Sequence, residues 1–548
     1  MEILLASSLD KIFYDAKPNL LDAPELNVIA KNGMFSFQAA LRPGGENFPP
    51  FGDYAAEVRT ELNAKIRVRQ VLNVPSRLPV YGWADDFCLR NEIGFYPDAL
   101  EDKDVFRLVG GRWNSLWIDV TPANKVFEAG EYKIEIVIKD ADGSEAARAE
   151  TKLAVVDAAV PRAPFKHTEW FHTDCLANYY GVSVFSKRYW EITGNFMKSA
   201  AGLGVNMILT PVVTPPLDTI QGGERTTVQL ADIFFENGKY RFGFDMLSRW
   251  IDIAKDAGIE YFEICHLFTQ WGALHAPKIL VSTDGGAPEQ KFGWETAADG
   301  DEYVGFLRQF IPALRDFLDK KGVLKNSYFH ISDEPGPEQF GQYKKLHSIM
   351  KPLLAGCKIF DALSDPAFYS EGLVEIPVVA TDHYEGFEAL GVKEKWVYYC
   401  CGQSNLVSNR FIALPSARSR ILGVQLYLYE ISGFLQWGFN FYNSGLSRRP
   451  IDPYQVTDAD LFFPSGDPFI VYPGPDGNAV ESIRYMVFNE AFSDYDALCR
   501  LEAKAGRKRV VEMIHEGLDY EITFKKYPRE ADYLLGLKKK VLREIAQL

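Results

Sequence analysis

The hydrophobic period of this 548-residue chain changes once, near residue 160, and that change narrows the folds open to it. Before it, short runs alternate apolar and polar residues: FSFQAALR (35–42), KIRVRQVLNV (65–74), VFRLVGG (105–111), LWIDVTP (116–122), GEYKIEIVIKD (130–140) and RAETKLAVVDA (148–158). Such alternation marks half-buried antiparallel strands. The stretches PGGENFP, TPANK and DADGS between them carry turn residues. Two sheets of this kind bury their apolar faces on each other, so residues 1–157 are predicted to form an N-terminal β-sandwich. The following AAVPRAPFKH, with two prolines, reads as a linker.

From residue 166 apolar strand-like runs alternate with helical patterns. The strands are KHTEWFH (166–172), GVNMILTP (204–211), YFEICHL (261–267), KNSYFHIS (325–332), KIFDAL (358–363), EIPVVAT (375–381), KWVYYCC (395–401) and GFLQWGF (433–439). Between them lie amphipathic segments such as DEYVGFLRQFIPALRDFLDKKG, where Phe306, Phe310, Leu314 and Leu318 make one apolar stripe. Eight strands interleaved with helices predict a (β/α)8 barrel over 166–450. A doubly wound sheet is the rival, but no GxGxxG or GxxxxGK[ST] phosphate loop occurs. Residues 451–548 are predicted to be an extension on the barrel, with helices near 479–504 and 534–546. The whole is thus a multidomain chain, all-β followed by α/β.

Charge and cysteine usage bound the partners. With 59 Lys and Arg against 74 Asp and Glu, the net charge is -15, which disfavours nucleic acid and anionic membranes. The one basic run, KAGRKR (504–509), reads as the wet face of a late helix. No 18-residue apolar run predicts membrane insertion. The opening MEILLASSLDKIFYDA lacks a signal-peptide pattern, and seven scattered cysteines show no CxxC spacing. Both lead to the expectation of a reducing cytoplasm. Metal ligation is not expected: His172-Thr-Asp174 and Asp382-His383 match no zinc spacing. Nor is there a GxSxG nucleophile elbow.

The richest chemistry is in YFHISDEPG (328–336), where a strand breaks at Pro335-Gly336 and leaves Asp333 and Glu334 at the rim. Adjacent strand residues point to opposite faces. A turn there brings both carboxylates toward one pocket. The competing reading makes Asp333 the N-cap of a helix beginning after Pro335, and His330 an ordinary core histidine. As a catalytic pair, adjacent carboxylates fit neither the roughly 5–5.5 Å retaining nor the roughly 6.5–9.5 Å inverting separation by spacing alone. A scheme in which the substrate supplies the nucleophile fits better.

Three motifs in order, FHISDEPGPEQFGQYKKL, GFLQWGFNFYN (433–443) and DPFIVYPGPDGNAVESIRYMVFNEAFSDYDAL (467–498), resemble glycoside hydrolase family 123 over most of residues 165–500. The resemblance implies a β-sandwich, a catalytic barrel and retaining β-N-acetylgalactosaminidase activity, with no metal or organic cofactor. It implies that Asp333 orients and stabilises the 2-acetamido group and that Glu334 serves as acid and then base. The partner expected is a glycan or glycoconjugate. Two alternatives stay open: a glycosidase of other specificity, its second acid being Asp174, Glu263 or Asp382, and a catalytically silent carbohydrate-binding protein.

Strand ends supply the candidate substrate contacts. His172 and Asp174 follow the first strand, and His266, Trp271 and Trp294 the third. Asp382, His383 and Tyr384 follow the sixth, Asn405 the seventh, and Trp437, Asn440 and Tyr442 the eighth. Trp437 is the aromatic floor favoured by its place in the second motif.

Overall fold

The computed structural model describes residues 1–20, 27–44 and 51–548. Of the PGGENFP turn, residues 45–49 lie outside the described residues. The N-terminal part folds as two five-stranded sheets. In one the order is Glu2–Ser7, Phe35–Arg42, Asn114–Pro122, Ala64–Ser76, Gly94–Asp102; in the other it is Asn27–Ala30, Glu145–Val156, Gly130–Lys139, Phe51–Arg59, Phe106–Val109. Phe37, Leu41, Leu116, Ile118 and Val120 from the first meet Ile134, Ile136, Ile138 and Leu153 from the second. This is the face-to-face packing that the alternating runs require. The DADGS turn forms as its sequence dictates: Asp140 Oδ1 accepts the Asp142 and Ser144 amides at 3.1 and 2.9 Å, and Gly143 takes φ +81°.

Four strands carry no clear alternation and were not legible. Gly94–Asp102 is the instructive case, because GFYPDALED holds a proline and three acids. Pro97 is tolerated because the strand is at a sheet edge. Its buried centre is explained by what lies beyond that edge, the C-terminal segment, whose Glu481 carbonyl accepts the Leu100 amide at 2.9 Å.

The barrel is closed and parallel, its strands in chain order Lys166–Glu169, Met207–Thr210, Tyr261–Ile264, Ser327–Phe329, Lys358–Leu363, Ile376–Ala380, Trp396–Tyr398 and Gly433–Gln436. Each lies within one of the eight runs read from the sequence. Helices Lys187–Gly202, Asp245–Ala257, Asp301–Lys320 and Phe340–Leu353 cover the first half, whereas Ala367–Ser370 and Glu385–Glu388 give single turns after strands five and six. The excursions after strands two and three form a separate four-stranded sheet at residues 232–292.

The C-terminal helix Ile483–Ala505 starts at Ser482, whose hydroxyl caps it by accepting the Tyr485 amide, three residues after the Ala479 expected. The basic KAGRKR run is not one helix face: Gly506, at φ +82°, breaks it, and a second helix begins at Arg507. The long helix is buried nearly all round, with sandwich, barrel and the last helix Ala531–Gln547 against it. Its charges are accordingly paired. Arg484 grips Asp98 of the sandwich with two bonds of 2.9 and 2.8 Å, and Arg420 of the barrel clamps Glu490 and Asp494. Apolar packing is continuous across the same seam, from Val71, Val74 and Leu100 into the barrel core.

Breaking such a pair leaves a buried charge without a counterpart. Arg484→Met is expected to lower stability in urea by about 3–5 kcal/mol, and Asp98→Leu added to it to recover much of the loss. Equal stability of Arg484→Met and the parent chain would refute this.

Candidate active site

The site is built on a polar column inside the barrel. His330, just past the fourth strand, lies between two buried acids: Nε2 is 2.7 Å from Glu263 of strand three, and Nδ1 3.1 Å from Asp361 of strand five. Burial alone would lower the His330 pKa, but hydrogen bonds and charges of Asp361 and Glu263 carry it up to about 9. It is an imidazolium at neutral pH. Glu263 also accepts Thr168 Oγ1 at 2.6 Å and the Trp170 indole N–H at 2.7 Å. Asp361 accepts the Ile331 and Ser332 amides at 3.0 and 3.2 Å and the Tyr343 hydroxyl at 2.5 Å. The backbone leading into Asp333 is thereby fixed from below.

At the next step the chain does what a regular strand cannot. Glu334 adopts φ +44°, a left-handed conformation rare for a residue with a side chain, and its amide donates to the Ala362 carbonyl at 3.0 Å. Asp333 and Glu334 consequently line one pocket together. The helix-cap alternative is excluded: the short helix after the turn is capped at Gly336, whose amide donates to Gln339 Oε1 at 2.9 Å.

The two carboxylates face different partners. Gln270 donates to Asp333, and its amide orientation is set because its Oε1 accepts the Asp218 amide. Glu334 accepts the Tyr398 hydroxyl at 2.5 Å, and Cys400 Sγ lies 4.0 Å away. Burial and the charge of Glu334 push the Asp333 carboxyl up to about 8, against Gln270 and the His330 cation. Glu334 is raised too, by burial and by the Asp382 charge, with the Tyr398 bond opposing. Two buried carboxyls in one pocket titrate as a pair, each made harder to ionise by burial.

Aromatic rings complete the pocket: Trp170, Trp271, Trp437 and Phe463. The Trp437 indole donates to Asp467 Oδ2 at 2.9 Å and rests on Phe463 at 4.9 Å between ring centres. Trp271, at φ +54°, is 45% exposed and stands at the mouth. Of the expected contacts, Trp271 and Trp437 thus share the pocket with Asp333 and Glu334. Asp382 stands near Glu334 but bonds to His383 at 2.8 Å and Gln403 at 3.1 Å.

The other expected contacts lie elsewhere. Asp174 is held by buried Arg225 at 2.7 and 2.9 Å, and the same guanidinium reaches His172 Nδ1 at 3.1 Å. Asn440 clamps the His172 backbone through both amide atoms, and the Tyr442 hydroxyl donates to the Val471 carbonyl. Tyr384 packs on Tyr429 and Phe524, Trp294 donates to the Gly223 carbonyl, and Asn405 is exposed. His266 stacks on His330 at 3.9 Å, beneath the pocket. Residues that the strand-end reading passed over include Trp170, Asp218, Gln270, Tyr398, Cys400 and Cys401. The run KWVYYCC held the signal for three of them; Gln270 had only its neighbour Trp271.

His266, His330 and Asp361 place ligand-type atoms within 4.8 Å of one another. They do not fit a cation. Both His330 nitrogens carry protons directed at carboxylates, so no lone pair is left for a metal. Burial and the nearby His330 charge push the His266 imidazole well below its ordinary range.

Among the described residues, no helix is long and apolar enough to cross a membrane. The model of the glycoside hydrolase 123 catalytic domain matches residues 170–501. No curated protein sequence matches the chain. Among solved structures, a family 123 glycoside hydrolase from Clostridium perfringens, studied for glycolipid glycan hydrolysis, aligns with a TM-score of 0.72 at 14% identity, covering 100% of this chain and 97% of that one. A β-glucuronidase from Parabacteroides merdae aligns at TM-score 0.33 and 10% identity over 90% of this chain and 51% of its own, too weakly to bear on the fold. Matched from the end of the first barrel strand into the long C-terminal helix, over more than half its length, the chain belongs to the glycoside hydrolase 123 family.

Proposed function

We propose that this glycoside hydrolase cleaves β-linked N-acetylgalactosamine with retention, the substrate's own 2-acetamido group acting as nucleophile. The observation that carries the reading is the left-handed turn at Glu334, which puts two adjacent buried carboxylates into one pocket with different partners. The acids that another scheme would call on are committed elsewhere: Asp174 to Arg225, Glu263 to His330, Asp382 to Gln403 and His383.

In the first step the acetamido carbonyl oxygen attacks the anomeric carbon as the glycosidic C–O bond breaks. Asp333, held by Gln270, orients the acetamido N–H and balances the positive charge of the oxazoline-like ring. Glu334 gives its proton to the leaving oxygen. In the second step Glu334 takes a proton from water as that water opens the ring, and two inversions restore the original configuration. The active form carries one proton on the pair. The glycolipid glycans of the Clostridium perfringens enzyme are the substrate class to try first.

Hydrolysis of aryl β-N-acetylgalactosaminide, β-N-acetylglucosaminide and β-galactoside, with the product anomer followed by NMR, tests the reading. The first should be preferred and the β-anomer released. Equal turnover of the galactoside, with loss of that activity in Asp218→Asn, would instead assign an ordinary double displacement to the other pocket-wall acid.

On a substrate with a poor leaving group, Glu334→Gln should lower kcat by about 10²- to 10⁴-fold, the usual worth of a general acid. Asp333→Asn should fall at least as far on every N-acetylhexosaminide. Full activity of Glu334→Gln on such a substrate would remove Glu334 from the acid's role.

The proposed acid must be protonated, so activity is lost as pH rises through the upper titration of the pair. The Tyr398 hydrogen bond lowers the Glu334 pKa. Tyr398→Phe should therefore move the alkaline limb of kcat/KM to higher pH; a limb that stays or moves down contradicts the assignment.

A further inference from the structure

We infer that Trp83, carried by the N-terminal sandwich, is the platform for the sugar ring on the leaving-group side of the scissile bond. The inference rests on the acid's role given to Glu334 above, because that role fixes which side of the pocket the leaving group occupies. Asp333 looks toward Gln270 and Asp218. Glu334 has other partners, Tyr398 and Cys400, and Cys401, next in the chain, lines the same pocket. A departing oxygen protonated by Glu334 leaves its ring on the Cys400–Cys401 side.

That side is where the sandwich meets the barrel rim. The loop at residues 77–90 leaves the strand Ala64–Ser76 and crosses to the barrel. There the Tyr81 hydroxyl donates to the Phe462 carbonyl at 2.8 Å and interacts with the Cys401 thiol. Phe462 in turn meets Phe463, a pocket wall, at 4.9 Å. Trp83 stacks on Tyr81 with ring centres 4.3 Å apart and planes at 21°, which covers one indole face. At 63% exposure its remaining surface is open to solvent.

An exposed tryptophan on a floppy loop would mean little, but this loop is bolted down. Buried Arg418 holds Asp85 with bonds of 2.6 and 2.8 Å, and Arg77 holds Asp458 at 2.8 Å. The Leu89 amide and the Leu78 carbonyl bond to the backbone of Ala413 and Ser465. The anchoring order is that of a preorganised platform: rigid support, one face stacked, one face free. Successive contacts lead from Glu334 through Cys400, Cys401 and Tyr81 to Trp83, and these thiol, phenol and indole groups suit the apolar face of a neutral hexopyranose.

The test compares two substrates: N-acetylgalactosamine β-linked to galactose, and methyl β-N-acetylgalactosaminide, which ends just past the leaving oxygen. The parent enzyme should prefer the disaccharide in kcat/KM. Trp83→Ala should reduce that preference by roughly tenfold, as loss of one aromatic stacking contact implies. Trp83→Phe should restore most of it. Trp271→Ala, on the other wall, should slow both substrates alike and leave the ratio standing. A ratio unchanged to within about twofold in Trp83→Ala overturns the assignment. If N-acetylgalactosaminides are inert while a galactoside pair is cleaved, the sugar reading falls, and the ratio on that pair still decides Trp83.

Discussion

One cation held between two anions organises the interior of this barrel. His330 ties Glu263 of the third strand to Asp361 of the fifth, and each acid then spends its remaining lone pairs on something the pocket needs. Glu263 fixes the Trp170 indole, and Asp361 fixes the backbone that delivers Asp333. Three charges out of water are tolerable only because the imidazolium satisfies both carboxylates and nearly every other lone pair has a donor. A barrel packed with branched aliphatics would be easier to stabilise, but it would have nothing with which to aim the turn that carries Asp333 and Glu334.

The fold was largely legible because it follows from local pattern. Seven of the eight barrel strands are short, largely apolar runs, whereas Lys166–Glu169 (KHTE) holds no apolar residue, and the count of eight draws on the family resemblance as well as on pattern. Pattern fails where burial comes from a distant partner. Gly94–Asp102 looks like a loop until the C-terminal segment packs on it, and nothing local announces that Asp98 will meet Arg484, 386 residues later.

The pocket divides along the same line. Asp333 and Glu334 announced themselves through a strand broken by proline and glycine, and Trp437 through its motif. Strand-end position was a weaker guide for the rest. His172, Asp174, Asn440 and Tyr442 are all at the expected ends, yet their polar atoms are consumed in holding the first and eighth strands' loops together. A rim must be built as well as used, and residue type does not tell the two duties apart. Gln270 shows the converse, since an amide becomes a site residue only when another amide, here that of Asp218, decides which of its ends faces the acid.

The left-handed backbone at Glu334 carries a meaning of its own. Holding a residue with a β-carbon there costs roughly 1–2 kcal/mol that glycine or asparagine would largely spare the fold. In the proposed reaction, that cost is what it takes to keep an acid, rather than a glycine, at the turn beside the departing sugar.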